Sequence, residues 1–245
     1  YLNENNIISK HQFGFRKGFS TEMALASALN NITAALDNKQ HVIGLFLDLR
    51  KAFDTVNKGI LLQKLTHYGI RGIVLRWFES YLSERVQRVK YTNVYSSELP
   101  VQIGVPQGSV LGPLLFILYI NDLCNSLNHI QPVLFADDTN LFFAGKELND
   151  TVSIFNNELV QLSDWFKCNR LSLNLGKTHT MLFTLSPSIR QKPIEIIIDD
   201  HVIHRVQETK FLGVYIDDKL NWSIHINHIC SKLRKSLGIL RKVSK

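Results

Sequence analysis

Three acidic residues, Asp48, Asp137 and Asp138, lie next to apolar runs, where a negative charge is unusual. Asp137 and Asp138 are adjacent in the segment VLFADDTNLFF, between two apolar runs that predict the paired strands of a hairpin. Asp48 directly follows another apolar run, Val42 to Leu47, which predicts a strand buried on both faces. Turns often contain Asp because it tolerates turn geometry, so the adjacent pair alone does not establish a site.

Carboxylates buried in a sheet need a compensating positive charge, because burying an unpaired carboxylate is costly. Arg50 and Lys51 are close enough in sequence to provide it. A divalent cation is the alternative, since Mg²⁺ binds one or two carboxylates together with substrate phosphates and water. Two such ions roughly 4 Å apart can activate a 3′ hydroxyl and stabilise a leaving pyrophosphate, as in polymerases and nucleases. The spacing of the acids does not choose between these two classes.

The other apolar patterns predict the elements that must position these acids. Helices are predicted after Ser20 (with Leu25, Leu29, Ile32 and Leu36 on one face), over Lys58–His67 and Arg71–Leu82, up to about Leu123 after a glycine-rich loop, and over Leu148–Phe166. Strands are predicted over Arg85–Tyr91, Ser97–Val101, Leu171–Leu175, Met181–Leu185, Ile194–Ile198 and Phe211–Ile216. Because the order lacks a regular βαβ rhythm and contains a hairpin, the predicted fold class is α+β with antiparallel pairing.

Composition narrows the class of protein further. The chain has 245 residues, 45% of them apolar, which is enough to bury a full core. No apolar run approaches the roughly 20 residues that span a bilayer, so no membrane segment is predicted. The three cysteines form no C-x-x-C pair, which favours a reducing, intracellular compartment. His225, His228 and Cys230 lie close together in the sequence but lack the spacing of a familiar zinc motif. The start, YLNENNIISK, has no initiator Met and no signal-peptide pattern, so we expect a piece of a longer protein.

Positive charge is concentrated near the C-terminus. Residues 219–245 contain seven Lys or Arg and no Asp or Glu, which equals the net charge of +7 of the whole chain. Apolar residues at three- and four-residue spacing predict an amphipathic helix with a packed stripe, formed by Ile226, Ile229, Leu233, Leu237 and Leu240. The basic face is either a solvated surface or a contact for phosphate backbones, formed by Lys232, Arg234, Lys235, Arg241 and Lys242.

Six motifs in order resemble those of the reverse transcriptase domain of non-LTR (LINE-type, jockey-like) retrotransposons, from nearly the first residue to the last. They are HQFGFRKGFST (11–21), GLFLDLRKAFDTVN (44–57), GVPQGSVLGPLLF (104–116), FADDTNLF (135–142), LSLNLGKTHTMLF (171–183) and KFLGVYID (210–217). The resemblance implies a right-hand polymerase with fingers, an antiparallel palm sheet and a partial helical thumb. Its expected parts are fingers (1–43), palm (44–65), fingers and palm (66–103), palm (104–205), primer grip (206–218) and the start of the thumb (219–245).

The resemblance also implies catalytic roles. Asp48 and Asp137 would bind both metal ions, while Asp138 would assist ligation or position the primer terminus. Lys177 would protonate the departing pyrophosphate as a general acid, and its alternative is a solvated turn lysine. A lone FADD segment would carry little weight, whereas six motifs in order carry much more.

Four residues are expected to bind the incoming nucleotide. Arg16 would grip the triphosphate, with Lys17 as a weaker candidate because exposed Lys is common on surfaces. Phe53 would pack under the sugar and exclude a 2′ hydroxyl, or else be a core residue. Gln107 and Gly108 would contact nucleotide and template, since Gly lets the backbone approach closely and Gln offers both a donor and an acceptor.

The predicted function is therefore that of an RNA-directed DNA polymerase. Its partners would be an RNA template, a DNA primer and deoxynucleoside triphosphates, with two Mg²⁺ ions, for which Mn²⁺ can substitute. Endonuclease and C-terminal regions are expected on the same full-length polypeptide, in a ribonucleoprotein of nucleus and cytoplasm. The alternatives are a nucleic-acid-binding remnant without activity, and a two-metal nuclease, which would have no need of Phe53 or Gln107.

Overall fold

The computed structural model describes residues 1–243, with side chains through residue 241. The helices are α1 (Thr21–Asp37), α2 (Lys58–His67), α3 (Gly72–Leu82), α4 (Leu111–Tyr119), α5 (Leu148–Cys168), α6 (Pro187–Arg190) and α7 (Ser223–Val243), with 3₁₀ turns at Ala52–Asp54 and Asn121–Ser126. The strands are β1 (His41–Leu47), β2 (Val86–Gln87), β3 (Lys90–Tyr91), β4 (Val94–Tyr95), β5 (Leu99–Pro100), β6 (Gln131–Phe135), β7 (Asp138–Gly145), β8 (His179–Phe183), β9 (Ile197–Ile198), β10 (His201–Val202), β11 (Glu208–Phe211) and β12 (Val214–Asp217). No helix in this part of the chain is both long and apolar enough to cross a membrane.

A four-stranded antiparallel sheet in the order β6-β7-β1-β8 forms the centre of the fold. On β1, Ile43 and Leu45 join a core that includes residues of α2, α4 and α5. Val42 and Phe46 point to the other face and pack in a core with residues of α1, β11 and β12. Strand β1 is therefore buried on both faces, and the predicted α+β class with antiparallel pairing is confirmed.

The predicted hairpin at the Asp pair is also confirmed. Strands β6 and β7 pair from Gln131↔Phe142 to Phe135↔Asp138, which leaves Ala136 and Asp137 as the two-residue turn. The neighbouring β1–β7 register ends at Leu47↔Thr139, so the next residues, Asp48 and Asp138, lie side by side at one end of the sheet. The sheet thus brings together acids that are about ninety positions apart in the sequence.

Three predicted strands are wrong in their extent. Leu171–Leu175 is reduced to a single bridge between Leu173 and Leu49, because Asn174 begins a turn that accepts the Lys177 and Thr178 N–H groups. The predicted strand over 211–216 folds back as the hairpin β11–β12 instead. Its two turn residues, Leu212 and Gly213, both have positive φ (47° and 90°). Leucine rarely adopts this conformation, so the sequence does not predict the turn. Ile194–Ile198 contracts to the two residues of β9.

The predicted strands over 85–91 and 97–101 become two separate two-residue pairs, β2–β5 and β3–β4. Every residue of these four strands is exposed. No other layer of the described chain covers either face of these strands, so only short pairing remains.

The apolar stripe of α7 is not packed among the described residues, contrary to the prediction. Its members are between 41% and 64% exposed: Ile226, Ile229, Leu233, Leu237 and Leu240. Spacing predicts that a face is apolar, but it does not supply a surface to cover that face. On helix α5, Phe155 is buried, whereas the neighbouring Ile154 is 39% exposed.

The hairpin that carries the Asp pair is held at its start by a buried carboxylate. Glu158 on α5 is 4% exposed and accepts N–H groups from Asn128 (3.0 Å), His129 (2.7 Å) and Ile130 (3.2 Å), just before β6 begins. Three donors aimed at one carboxylate satisfy its charge without a cation.

We expect Glu158→Gln to lower the free energy of unfolding at neutral pH by about 1.5–3 kcal/mol, because the amide presents an NH₂ group to N–H donors. Urea denaturation of both proteins measures the difference. Glu208→Gln, at an exposed position on β11, is the matched control and should change the value by less than about 0.5 kcal/mol. Equal losses in the two variants would contradict the anchoring role of Glu158.

Candidate active site

The three acids meet at one end of the sheet. The sequence suggested that they would be buried within the sheet, but they are not. Asp48 is half-buried, whereas Asp137 and Asp138 are exposed. The Asp48 N–H donates to the Thr178 hydroxyl (3.3 Å), and its carbonyl accepts the Asn174 N–H (2.8 Å). The backbone of Asp48 is therefore fixed from both sides.

Asp48 and Asp137 are close enough to affect the ionisation of Asp138. The pKa of Asp138 is raised, first by burial of its carboxyl group and then by repulsion from Asp137 and Asp48. The residue as a whole is exposed, so solvent screens part of this effect. Arg50 and Lys51 do not neutralise the site, since none of the ion pairs formed by the described residues includes these three acids.

The donor set fits a hard divalent cation. Carboxylate oxygens with unbalanced negative charge are the ligands that Mg²⁺ prefers, and Mg²⁺ commonly takes one or two of them with water and phosphate oxygens. Nowhere in residues 1–241 do three Asp, Glu, His or Cys side chains already converge as a complete metal-binding cluster. The site therefore offers carboxylate oxygens suited to Mg²⁺, but the described side chains do not form a complete set of metal ligands.

A cleft of about 590 Å³ lies beside Asp48, and several positively charged side chains line it. Arg50, Lys51 and Lys177 line it, together with Asn174. The Leu49–Leu173 bridge and the turn that follows it carry Lys177 to this cleft. The structure therefore brings exposed Lys177 near Asp48, and its general-acid role stays a prediction.

Phe53 lies in the 3₁₀ turn that follows Asp48 along the chain. Its ring stacks on Phe116 with 4.5 Å between centroids, and its carbonyl accepts the Val105 N–H (2.9 Å). The side chain is half-buried, so it packs against the core and still presents an edge to the surface. Both interpretations of Phe53 from the sequence, core residue and sugar contact, fit this position.

The loop with Gln107 is bonded to the same 3₁₀ turn. The Gln107 amide donates to the Asp54 carboxylate (2.7 Å), a contact that the sequence analysis missed. Both residues line a second cleft of about 740 Å³. Gly108 has a φ of 75°, and a Cβ there would meet nothing within 4 Å, so its backbone is open to an approaching ligand. The only sequence signal for Asp54 was its place one residue after Phe53.

Arg16 is engaged with the backbone. Its Nη1 donates to the carbonyls of Ser9 (3.0 Å) and Gln12 (2.9 Å), and its guanidinium lies 4.2 Å from the centroid of the Phe19 ring. Burial lowers the pKa of Arg16. The side chain thus braces the segment around it, and its predicted grip on the triphosphate stays a prediction.

The basic residues predicted to contact nucleic acid lie on α7. Exposed side chains are seen for Lys232, Arg234, Lys235 and Arg241, while the side chain of Lys242 lies outside the described residues. Helix α7 meets the rest of the chain mainly at β12, where Tyr215 and His228 lie 4.7 Å apart. The side chains of Lys232, Arg234 and Lys235 are exposed to solvent.

The fold defines the class of protein. Apo telomerase from Candida tropicalis, truncated from its C-terminal domain, matches 91% of this chain and 42% of its own, with a TM-score of 0.59 and 12% sequence identity. At that identity the likeness concerns the fold alone. Together with the antiparallel sheet and its acidic hairpin, it identifies a right-hand polymerase fold, as the motifs implied.

The family follows from the sequence match. Residues 1–216 match the family described as "Reverse transcriptase (RNA-dependent DNA polymerase)", and the chain belongs to that family. It is 32% identical over 97% of its length to the "Probable RNA-directed DNA polymerase from transposon X-element" of Drosophila melanogaster. It is also 30% identical over 94% of its length to the "RNA-directed DNA polymerase from mobile element jockey" of the same species. The resemblance to jockey-like retrotransposons is thereby confirmed.

The chain spans only part of these relatives. It covers 26% of the X-element protein and 26% of the jockey protein.

The raised pKa of Asp138 predicts a dependence of stability on pH. A carboxyl with a raised pKa in the folded state costs stability once it ionises, so the cost is absent below its ordinary pKa of 3.8 and grows as pH rises through the raised value. We expect Asp138→Asn, without divalent cations, to raise the free energy of unfolding at pH 7 by up to about 1 kcal/mol after solvent screening.

Urea denaturation from pH 3 to pH 7 measures this gain, which should vanish at the acidic end. Asp37→Asn, at an exposed residue ending α1, is the control and should change stability by less than about 0.5 kcal/mol. A gain for Asp138→Asn that persists unchanged at pH 3 would contradict the electrostatic explanation.

Proposed function

We propose that this chain is the catalytic domain of an RNA-directed DNA polymerase, which adds deoxynucleotides to a primer 3′ end on an RNA template. One observation carries the proposal: Asp48 and the Asp137–Asp138 turn meet at the end of a rigid sheet, with no ion pair to neutralise them among the described residues. Family membership supports the same reaction.

Asp48 and Asp137 would bind two Mg²⁺ ions, or Mn²⁺ in their place, and Asp138 would assist. When bound, such ions activate the 3′ hydroxyl and stabilise charge on the leaving pyrophosphate. The sheet keeps the carboxylates in a constant relative position, which limits the reorganisation needed during the reaction. Lys177, across the cleft from Asp48, would supply a proton to the leaving group.

The incoming nucleotide would lie between the acids and the loop of Gln107 and Gly108. Phe53, backed by Phe116, would meet the sugar and leave no room for a 2′ hydroxyl. The Gln107–Asp54 hydrogen bond would hold the loop at a fixed distance from that ring. Arg16 would approach the triphosphate from the segment that it braces.

The basic face of α7 would contact the backbone of the primer–template hybrid without selecting a sequence, since phosphate contacts are independent of base identity. Along the chain, the proposed parts would run from the fingers (1–43) to the start of the thumb (219–245). Endonuclease and C-terminal regions would lie elsewhere on the full-length polypeptide, which would act in nucleus and cytoplasm as a ribonucleoprotein.

Primer extension tests the proposal directly. We expect the 245-residue chain to extend a DNA primer on an RNA template with Mg²⁺, and Asp137→Asn to lower the rate about 100- to 1,000-fold, because removing a group that stabilises transition-state charge costs that much. The exposed Asp37→Asn variant serves as the control and should retain the wild-type rate.

Each alternative has its own outcome in the same assay. Binding of the hybrid without extension by any of the three proteins would favour the nucleic-acid-binding remnant. Cleavage of the strand without nucleotide incorporation would favour the nuclease. Either result would overturn the proposed polymerase.

The basic face of α7 generates a second prediction. Replacing Lys232, Arg234 and Lys235 together with Gln should weaken hybrid binding and reduce the slope of log affinity against log salt by about 0.9 for each phosphate contact removed. Fluorescence anisotropy with a labelled hybrid at several salt concentrations measures the slope.

The matched control replaces exposed lysines on other parts of the surface with Gln, at Lys39, Lys146 and Lys192. It removes the same formal charge and should leave the salt slope close to that of the wild type. The same loss of slope in both triple variants would show that net charge, and not the face of α7, controls binding.

A further inference from the structure

The turn that presents the acids is held from outside the sheet. Residues 11–13 run beside the edge strand β6: the Phe13 N–H donates to the Leu134 carbonyl (2.8 Å), and the Leu134 N–H donates to the His11 carbonyl (2.9 Å). Gln12 lies between them in a parallel bridge to Leu134. Its side chain therefore extends along the edge towards the end of β6, where the turn begins.

Gln12 reaches the backbone of the turn itself. Its Oε1 accepts the Ala136 N–H (3.0 Å) and the Gly14 N–H (2.7 Å). The side chain is 1% exposed, so no water replaces these bonds readily. Ala136 is the residue immediately before Asp137, and every shift of its peptide plane moves that carboxylate.

The conformation of Ala136 needs such a restraint. Its φ is 56°, while Asp137 does not share a positive φ, a combination typical of a type II′ turn, in which glycine is usual at the first position. A non-glycine residue persists there only when its surroundings hold it. Gly14 contributes as well, because a Cβ at Gly14 would overlap the Ala136 nitrogen.

The choice of an amide is informative. Both groups in front of Oε1 are N–H donors, which leaves Gln12 Nε2 buried with no partner among the described residues. A carboxylate would accept both bonds without that orphan donor, but it would add a negative charge near Asp138, whose ionisation Asp137 and Asp48 already oppose. The neutral acceptor restrains the turn without raising that repulsion.

We propose that Gln12 is a positioning residue, whose buried side-chain oxygen fixes the Ala136 peptide and thereby the placement of Asp137 and Asp138. The proposal rests on the proposed function of that turn. Arg16 supports the same contact, since its Nη1 donates to the Gln12 carbonyl (2.9 Å) and locks the segment. The N-terminal motif would thus act through the geometry of the acids as well as through any contact with nucleotide.

Gln12→Met tests the proposal, because methionine fills a similar volume without an acceptor. We expect the rate constant for nucleotide addition to fall about 100-fold, as small misplacements of catalytic groups do, with nucleotide KM and hybrid affinity nearly unchanged. We also expect the Ala136 amide to exchange hydrogen faster, as measured by NMR on the apo chain. Gln12→Glu retains the acceptor and should keep this amide protected.

Asn121→Leu is the matched control. Asn121 is also buried and also makes two backbone contacts to the N-terminal segment, accepting the Ser9 N–H (2.7 Å) and donating to the Ile7 carbonyl (2.8 Å), but it does not touch the turn. It should expose the Ser9 amide, leave the Ala136 amide protected and change the rate by less than about threefold. If Gln12→Met does not fold, Gln12→Asn takes its place, because its oxygen falls one methylene short.

Several results would overturn the proposal. They are an unchanged exchange rate at Ala136 in Gln12→Met, a wild-type rate of nucleotide addition in that variant, or equal rate losses in Gln12→Met and Asn121→Leu. If the wild-type chain copies no template, the proposed function fails by itself. Exchange at the Ala136 amide then decides separately whether Gln12 holds the turn.

Discussion

Repulsion among Asp48, Asp137 and Asp138 is the constraint on which the rest of the structure depends. Asp137 and Asp48 raise the cost of ionising Asp138, so the chain must hold the three together against a force that separates them. The frame that does so is β1, buried between two apolar layers and paired along its whole length with β7. Hydrophobic burial on both sides of one strand therefore stabilises an electrostatically unfavourable edge, which is the usual distribution of strain and support around a functional site.

Buried polar side chains then specify the exact shape of the acidic hairpin. Glu158 on α5 binds the backbone before β6, and Gln12 binds the backbone after it. Both side chains come from outside the hairpin, and both replace hydrogen bonds that a short turn cannot make within itself. Such contacts contribute little net stability, but leaving one of them unmade in a buried position is costly, so they favour one geometry strongly.

Packing around the site contrasts with packing at the periphery. Phe53 is held by a stacked ring and Gln107 by a carboxylate, so the side chains of these two residues are restrained by their contacts. The four short strands β2, β3, β4 and β5 and the helix α7 instead keep large apolar side chains exposed in the described structure. Exposed apolar surface of this extent is typical of regions that meet other molecules or other parts of a polypeptide.

The sequence by itself determined the elements whose signal is local. The continuous apolar run of β1, the hairpin at the Asp pair, and helices α2 and α5 follow from periodicity, and the order of the motifs identified the family. Tertiary structure decided what depends on distant partners: that Leu171–Leu175 pairs at one residue only, that a leucine adopts positive φ in the β11–β12 turn, and that the stripe of α7 has no cover among the described residues. Gln12 belongs to this second group, because its importance lies in one hydrogen bond to a residue 124 positions away. Periodicity records which side of an element is apolar, whereas a contact between remote segments exists only once the chain has folded.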